Sequence, residues 1–240
     1  MKLDILAMGA HPDDVELSCG GTLIRARKKG ASVGIVTLTR AEMGTRGTPE
    51  LRAQEFARAA EIIGAKVHKS LTLPDGRLEL NWEAKLAVIQ EIRHYQPTLV
   101  FLPYWEDRHP DHATASRIIE EAAFLAGLRK LETGQEPHRP AKLIYYMCSW
   151  EFQPDFVVDI SDVIEEKKRA IQAYGSQVHN KAYHSNEEET FISSVQFWDF
   201  LMARAAYYGH RIGKQFAEPF KIKGLVEIKD VLEAFGDHVY

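Results

Sequence analysis

Continuous apolar, β-rich runs alternate with amphipathic stretches through the first two-thirds of the chain, and this alternation limits the fold more than any other feature. LDILAMGA (3–10), VGIVTLT (33–39) and TLVFLPY (98–104) are unbroken runs of strand length. Runs of this kind suit strands buried on both faces of a parallel sheet. Helical periodicity fills the intervals. It spans about Val15 to Lys29 before Gly30, Pro49 to Ile63 between Thr48 and Gly64, about 81–95, and Asp111 to Leu125. Thr48 reads as an N-cap with proline at the first helical position, and the glycines as stops. A short strand is expected near 66–71, followed by the turn LPDGR. Further on, 127–141 reads as a loop, KLIYYMCS and DFVVDIS as strands, and DVIEEKKRAIQAYGS as a surface helix. Residues 176–190 carry no periodicity and read as a loop, and a last long helix is expected from Ile192 to Gly213. Right-handed crossovers then predict an α/β fold whose mostly parallel sheet is covered on both faces. With 240 residues and no repeat or linker, one domain over 1–240 is expected.

Composition narrows the partners. A net charge of -4 and a pI near 6.2 leave no basic footprint for nucleic acid. No run reaches the roughly 20 apolar residues that span a bilayer. The start, MKLDILAMGAH, lacks the length and cleavage pattern of a signal peptide. Cys19 and Cys148 form neither a CxxC pair nor a framework, so a reducing cytoplasm is expected and both should pack as small apolar groups.

In such sheets ligands sit beyond the carboxyl ends of the strands. GAHPDD follows the first strand, LTRAEMG the second, and PYWEDRHPDH the run at 98–104, so all three should open on one edge. Two histidine–carboxylate clusters thus converge from positions roughly a hundred residues apart. Imidazole and carboxylate suit zinc, and three protein ligands with an open position are its catalytic arrangement. His11 and Asp14 straddle a strand-to-helix turn, and His112 completes a ligand set from another strand end. Asp13 is left beside the ion, free to take a proton from bound water. Each motif alone also reads as a helix start, with Asp111 capping the helix at 111–125. Arg52, in the first turns of the helix after the second strand, reads as a clamp on a substrate group or as an i, i+3 partner of Glu55. His68, His94, His138, His210 and His238 read as solvated or core residues; His179 and His184 lie in the polar loop.

AHPDDVE, the GT-x-x-LR segment at 47–52 and the downstream HPDH resemble the LmbE/PIG-L family of zinc-dependent N-acetylglucosamine deacetylases. PYWEDRHPDHA and AYGSQ (173–177) look most like its bacillithiol-pathway branch, which acts on N-acetylglucosaminyl malate. The resemblance implies a Rossmann-like three-layer fold and hydrolysis of an N-acetyl group on a small amino-sugar substrate. It implies zinc, with ferrous ion suiting the same ligands, held by His11, Asp14 and His112. It makes Asp13 the general base, His109 the histidine facing the developing charge, Asp111 its orienting carboxylate and Arg52 a substrate contact. It also implies a homo-oligomer, trimer or hexamer. The relatives' catalytic-loop tyrosine has only Tyr183 as a counterpart. Two rivals stand beside this reading: a deacetylase of another acylated amino sugar or thiol conjugate, and a nucleotide-binding module. No GxGxxG follows the first strand to support the latter.

Overall fold

A computed structural model describes residues 1–180 and 187–236. The strands are β1 (Ile5–Gly9), β2 (Val33–Thr37), β3 (Val67–Ser70), β4 (Leu99–Pro103), β5 (Lys142–Tyr146), β6 (Phe156–Asp159) and β7 (Ala217–Lys221). The helices are α1 (Asp14–Lys28), α2 (Pro49–Ile63), α3 (Trp82–Tyr95), α4 (Pro110–Ala126), α5 (Ile164–Gln172), α6 (Val195–His210) and α7 (Val231–Phe235). One sheet joins the strands in the order β3-β2-β1-β4-β5-β7-β6. β1 to β5 pair in parallel, and β7 runs antiparallel to both β5 and β6. This is the expected mostly parallel, three-layer α/β architecture.

Alternation along β1 divides the core. Leu6 and Met8 face one layer, with Val88 and Ile89 of α3 and Ile118 and Ile119 of α4. Ile5 and Ala7 face the other, with Leu23 of α1 and Phe56 and Ile63 of α2. Each fully buried aliphatic side chain contributes about 1.5–3 kcal/mol, so the two layers hold the helix starts firmly against the sheet. The ends of α2 follow the sequence: the Thr48 side chain accepts from Leu51 N–H, and Gly64 takes a left-handed φ of 77°.

Two expectations need revision. The last long helix is shorter than Ile192–Gly213, spanning Val195–His210, with Ser194 as its N-cap accepting from Phe197 N–H. The segment after it forms β7, which the sequence did not announce. AEPFK contains a proline and two charged residues, and Glu218 is buried only because Lys167, Thr22 and Gly21 satisfy it. Among the described residues no helix is long and apolar enough to cross a membrane.

Candidate active site

Strand order reverses between β1 and β4, which lie side by side while their neighbours diverge. A crevice opens beyond the carboxyl ends of strands at such a point. His11, Asp13 and Asp14 enter it after β1, and His109, Asp111 and His112 after β4. Asp13 holds the N-cap position of α1 with φ 111°, a region that a residue with a side chain seldom adopts. Its carboxylate makes no capping bond. At α4 the cap is the His109 ring, whose Nδ1 accepts from Asp111 N–H at 3.2 Å. Helix capping therefore leaves the carboxylates of both motifs free for other work.

The two outer imidazoles meet at Asp14. His112 Nε2 lies 3.0 Å from Asp14 Oδ1, and His11 Nδ1 lies 3.7 Å from Asp14 Oδ2. Each ring turns its other nitrogen to a second carboxylate: His112 Nδ1 to Asp107 at 2.9 Å, and His11 Nε2 to Asp75 at 2.9 Å. A carboxylate accepts only, so those outer nitrogens carry protons and the inner ones face Asp14. Burial opposes a charge on the rings, yet the surrounding carboxylates prevail. His11 is raised to about 9 by Asp111, Asp75 and Asp14, and His112 stands well above its usual value, chiefly through Asp14. Burial alone would raise Asp14, but His112 and His11 hold it well below the usual carboxylate range. This donor set fits a divalent cation, which would take the place of the inner protons. Ring nitrogens backed by outer carboxylates are the usual support of a metal-binding histidine. His11, His109 and His112 also bring one nitrogen each within 4.8 Å of one another.

Asp13 sits beside this cluster against Arg52. Arg52 Nη2 is 3.2 Å from Asp13 Oδ2 and also donates to the Pro12 carbonyl oxygen. Burial raises the Asp13 carboxyl to about 6, with Arg52 opposing and Asp14 adding to the rise. Arg52 does not pair with Glu55, which instead accepts from Ser176. The guanidinium's first commitment is to the carboxylate beside the cluster, so the sequence reading of Arg52 misses its main partner. Asp111 also differs from expectation. Its amide, not its carboxylate, contacts His109; the carboxylate accepts from Gly76 N–H at 2.7 Å and lies 3.5 Å from His11 Nε2. Burial and the two neighbouring imidazoles lower the His109 pKa, which favours the neutral ring with its proton on Nε2.

Sequence reasoning did not single out Asp75 and Asp107 as site residues. Asp75 lies in the LPDGR turn, and Asp107 lies two residues before His109 within WEDRHPDH. Their acid identity beside a predicted strand end is the one signal available. Cys19 packs in the core and Cys148 packs against the same cluster, as expected; Cys148 also lines the cavity with Ser149 after β5. The cavity encloses about 240 Å³, and Met43, Phe197 and Ile192 contribute its apolar wall. Tyr183 and His184 lie outside the described residues.

Fold and site together define a three-layer α/β protein with a histidine–carboxylate centre at the topological switch of its sheet. Residues 6–123 match the GlcNAc-PI de-N-acetylase family, PIG-L. Diacetylchitobiose deacetylase of Thermococcus kodakarensis is 32% identical over 89% of this chain and 80% of its own length. The probable N-acetyl-alpha-D-glucosaminyl L-malate deacetylase 2 of Bacillus anthracis is 28% identical over 81% of this chain and 90% of its own. A 4-oxalmesaconate hydratase of Pseudomonas putida is 25% identical over 75% and 76%. Among solved structures, the conserved protein TT1542 of Thermus thermophilus superimposes with a TM-score of 0.85 at 40% identity, covering 95% of this chain and 98% of that one. The chain belongs to the PIG-L family of deacetylases.

Proposed function

We propose that the protein removes the acetyl group from an N-acetylglucosaminyl conjugate, with N-acetylglucosaminyl malate as the favoured substrate and a divalent metal as cofactor. One observation carries the reading: two imidazoles backed by Asp107 and Asp75 converge on Asp14, with an elevated carboxyl, Asp13, beside them. A zinc or ferrous ion held by His11, Asp14 and His112 would polarise the acetyl carbonyl and bring the pKa of bound water to about 7.

Asp13, with a pKa of about 6, is matched to accept the proton of the attacking water near neutral pH. As the amide carbon becomes tetrahedral its oxygen gains negative charge, and His109 donates its Nε2 proton to it. The sugar nitrogen leaves only if protonated. Asp13 has just received a proton and returns it there, while a neutral His109 keeps its own for the oxyanion. Acetate and the free amine are the products. Arg52 holds Asp13 in place and lowers its pKa, so it serves the base before it serves any substrate group.

The test is acetate release by the zinc-loaded protein from N-acetylglucosaminyl malate, diacetylchitobiose and methyl N-acetylglucosaminide. Release with the malate glycoside preferred supports the reading. Release separates the deacetylase reading from the hydratase chemistry for which one relative is named, and no release from any of them overturns it.

A further inference from the structure

Two arginines line the cavity without a carboxylate partner among the described residues. Arg204, on α6, lines the cavity with 9% of its surface exposed. Its Nη1 donates to the Cys148 carbonyl oxygen, and its guanidinium lies 5.6 Å from the centroid of the Phe200 ring. Among the described residues no carboxylate lies within 4.0 Å of it. A buried guanidinium in this position is costly unless an anion joins it. Burial duly lowers the Arg204 pKa, and the attractions of Glu218 and Glu151 act only from beyond ion-pair distance. Glu218 is spent on Lys167.

The carboxylates that line the cavity are spent too. Asp13 pairs with Arg52, Asp14 with His11 and His112, and Asp75 with His11 and the Met43 amide. A second guanidinium, Arg108, also lines the cavity. It stacks on the Phe191 ring at 4.4 Å and likewise has no carboxylate within 4.0 Å among the described residues. Resting on the deacetylase reading, we propose that Arg204, with Arg108 at the rim, binds a carboxylate carried by the group attached to the sugar. The sugar hydroxyls and the acetamido group are neutral, so the anion must come from the aglycone. A guanidinium fork matches a carboxylate with two parallel hydrogen bonds, which a neutral second sugar cannot supply.

The experiment compares kcat/KM for N-acetylglucosaminyl malate and methyl N-acetylglucosaminide in the wild type, Arg204→Met and Arg204→Lys. Thermal unfolding and zinc content verify that each variant is folded and loaded. The wild type should prefer the malate glycoside. A charged hydrogen bond is worth about 1.5–3 kcal/mol, so the preference should shrink roughly 10- to 150-fold in Arg204→Met, mainly through KM. Arg204→Lys keeps the charge without the fork and should fall between. Calorimetric titration with the deacetylated product, glucosaminyl malate, should show the same order of binding. No preference in the wild type, or one unchanged in both variants, overturns the proposal. If no glycoside is deacetylated, the deacetylase reading fails alone: the titration still decides, with weaker binding to Arg204→Met supporting the anion site and equal binding refuting it.

Discussion

The Arg52 guanidinium lies 3.2 Å from the Asp13 carboxylate, and both side chains are buried. Burial pushes Asp13 up to about 6 and Arg52 pulls it back. As the proposed base, Asp13 works only when deprotonated, so activity should fall as pH drops through this value. Removing the guanidinium leaves burial unopposed. Arg52→Ala should therefore move the acid limb of the kcat profile to higher pH, and Arg52→Lys should move it less. Loss of one partner from a buried pair also costs about 3–5 kcal/mol of stability. An acid limb that stays in place would show that Arg52 does not tune the base.

Among the described residues Asp13 contacts Arg52 and no ring nitrogen at ion-pair distance, whereas Asp14 contacts both imidazoles. Asp13→Ala should lower kcat by about 10²–10⁴-fold, the usual contribution of a general base, while zinc remains bound in full. Metal analysis of the purified variant checks this. Loss of zinc together with turnover would make Asp13 a ligand.

The outer carboxylates give a graded series. His11→Ala and His112→Ala should lose bound metal outright. Asp75→Asn and Asp107→Asn keep the rings but weaken their support, and should lower zinc affinity by about 10–100-fold. Competition with a chelator of known affinity measures the order. Affinity unchanged in both asparagine variants would mean that the rings are held by packing alone.

How much of this was legible in the sequence depends on the range of the interactions involved. β1, β2 and β4 announce themselves because strands buried on both faces are continuously apolar. The HPDD and HPDH motifs reveal their chemistry because each follows such a strand, and the switch point brings them together. β7 stayed hidden because Glu218 is made compatible with the interior by Lys167 and Thr22, far away in the chain. Asp75 and Asp107 are hidden for a similar reason: an aspartate in a turn looks like turn chemistry until His11 and His112 stand against it. The partner of Arg52 lies 39 residues away, beyond any helical spacing rule.

Glu16, within the same motif, is wholly buried and bonded to the Tyr174 hydroxyl at 3.0 Å. Burial raises its pKa to about 8, above the ordinary 4.5. Between these values the folded protein holds a proton that the unfolded chain releases, so stability falls as pH rises from about 4.5 to about 8. Glu16→Gln has no proton to lose. Its melting temperature should depend less on pH over that range than the wild type's, and should exceed it at the alkaline end. Parallel curves for the two proteins would show that the carboxyl is not protonated in the fold.

A second buried ion pair lies behind the site and links α1, α5 and β7. Lys167 Nζ is 2.5 Å from Glu218 Oε1 and 3.1 Å from the Leu17 carbonyl oxygen, while Glu218 accepts from the amides of Gly21 and Thr22 at 2.9 and 2.7 Å. Leu17 and Gly21 are four residues apart, so the carbonyl and amide of one ideal helical bond each engage a member of the ion pair. Removing a single charge strands the other in the interior. Glu218→Gln should cost about 3–5 kcal/mol, which for a chain of this size lowers Tm by roughly 6–20 °C. The double variant Glu218→Gln/Lys167→Met leaves no stranded charge and should recover part of that loss, because an apolar replacement of a buried pair is often neutral. If the double variant melts as low as the sum of the single changes, the pair acts through its bonds to the α1 backbone and not through its charge.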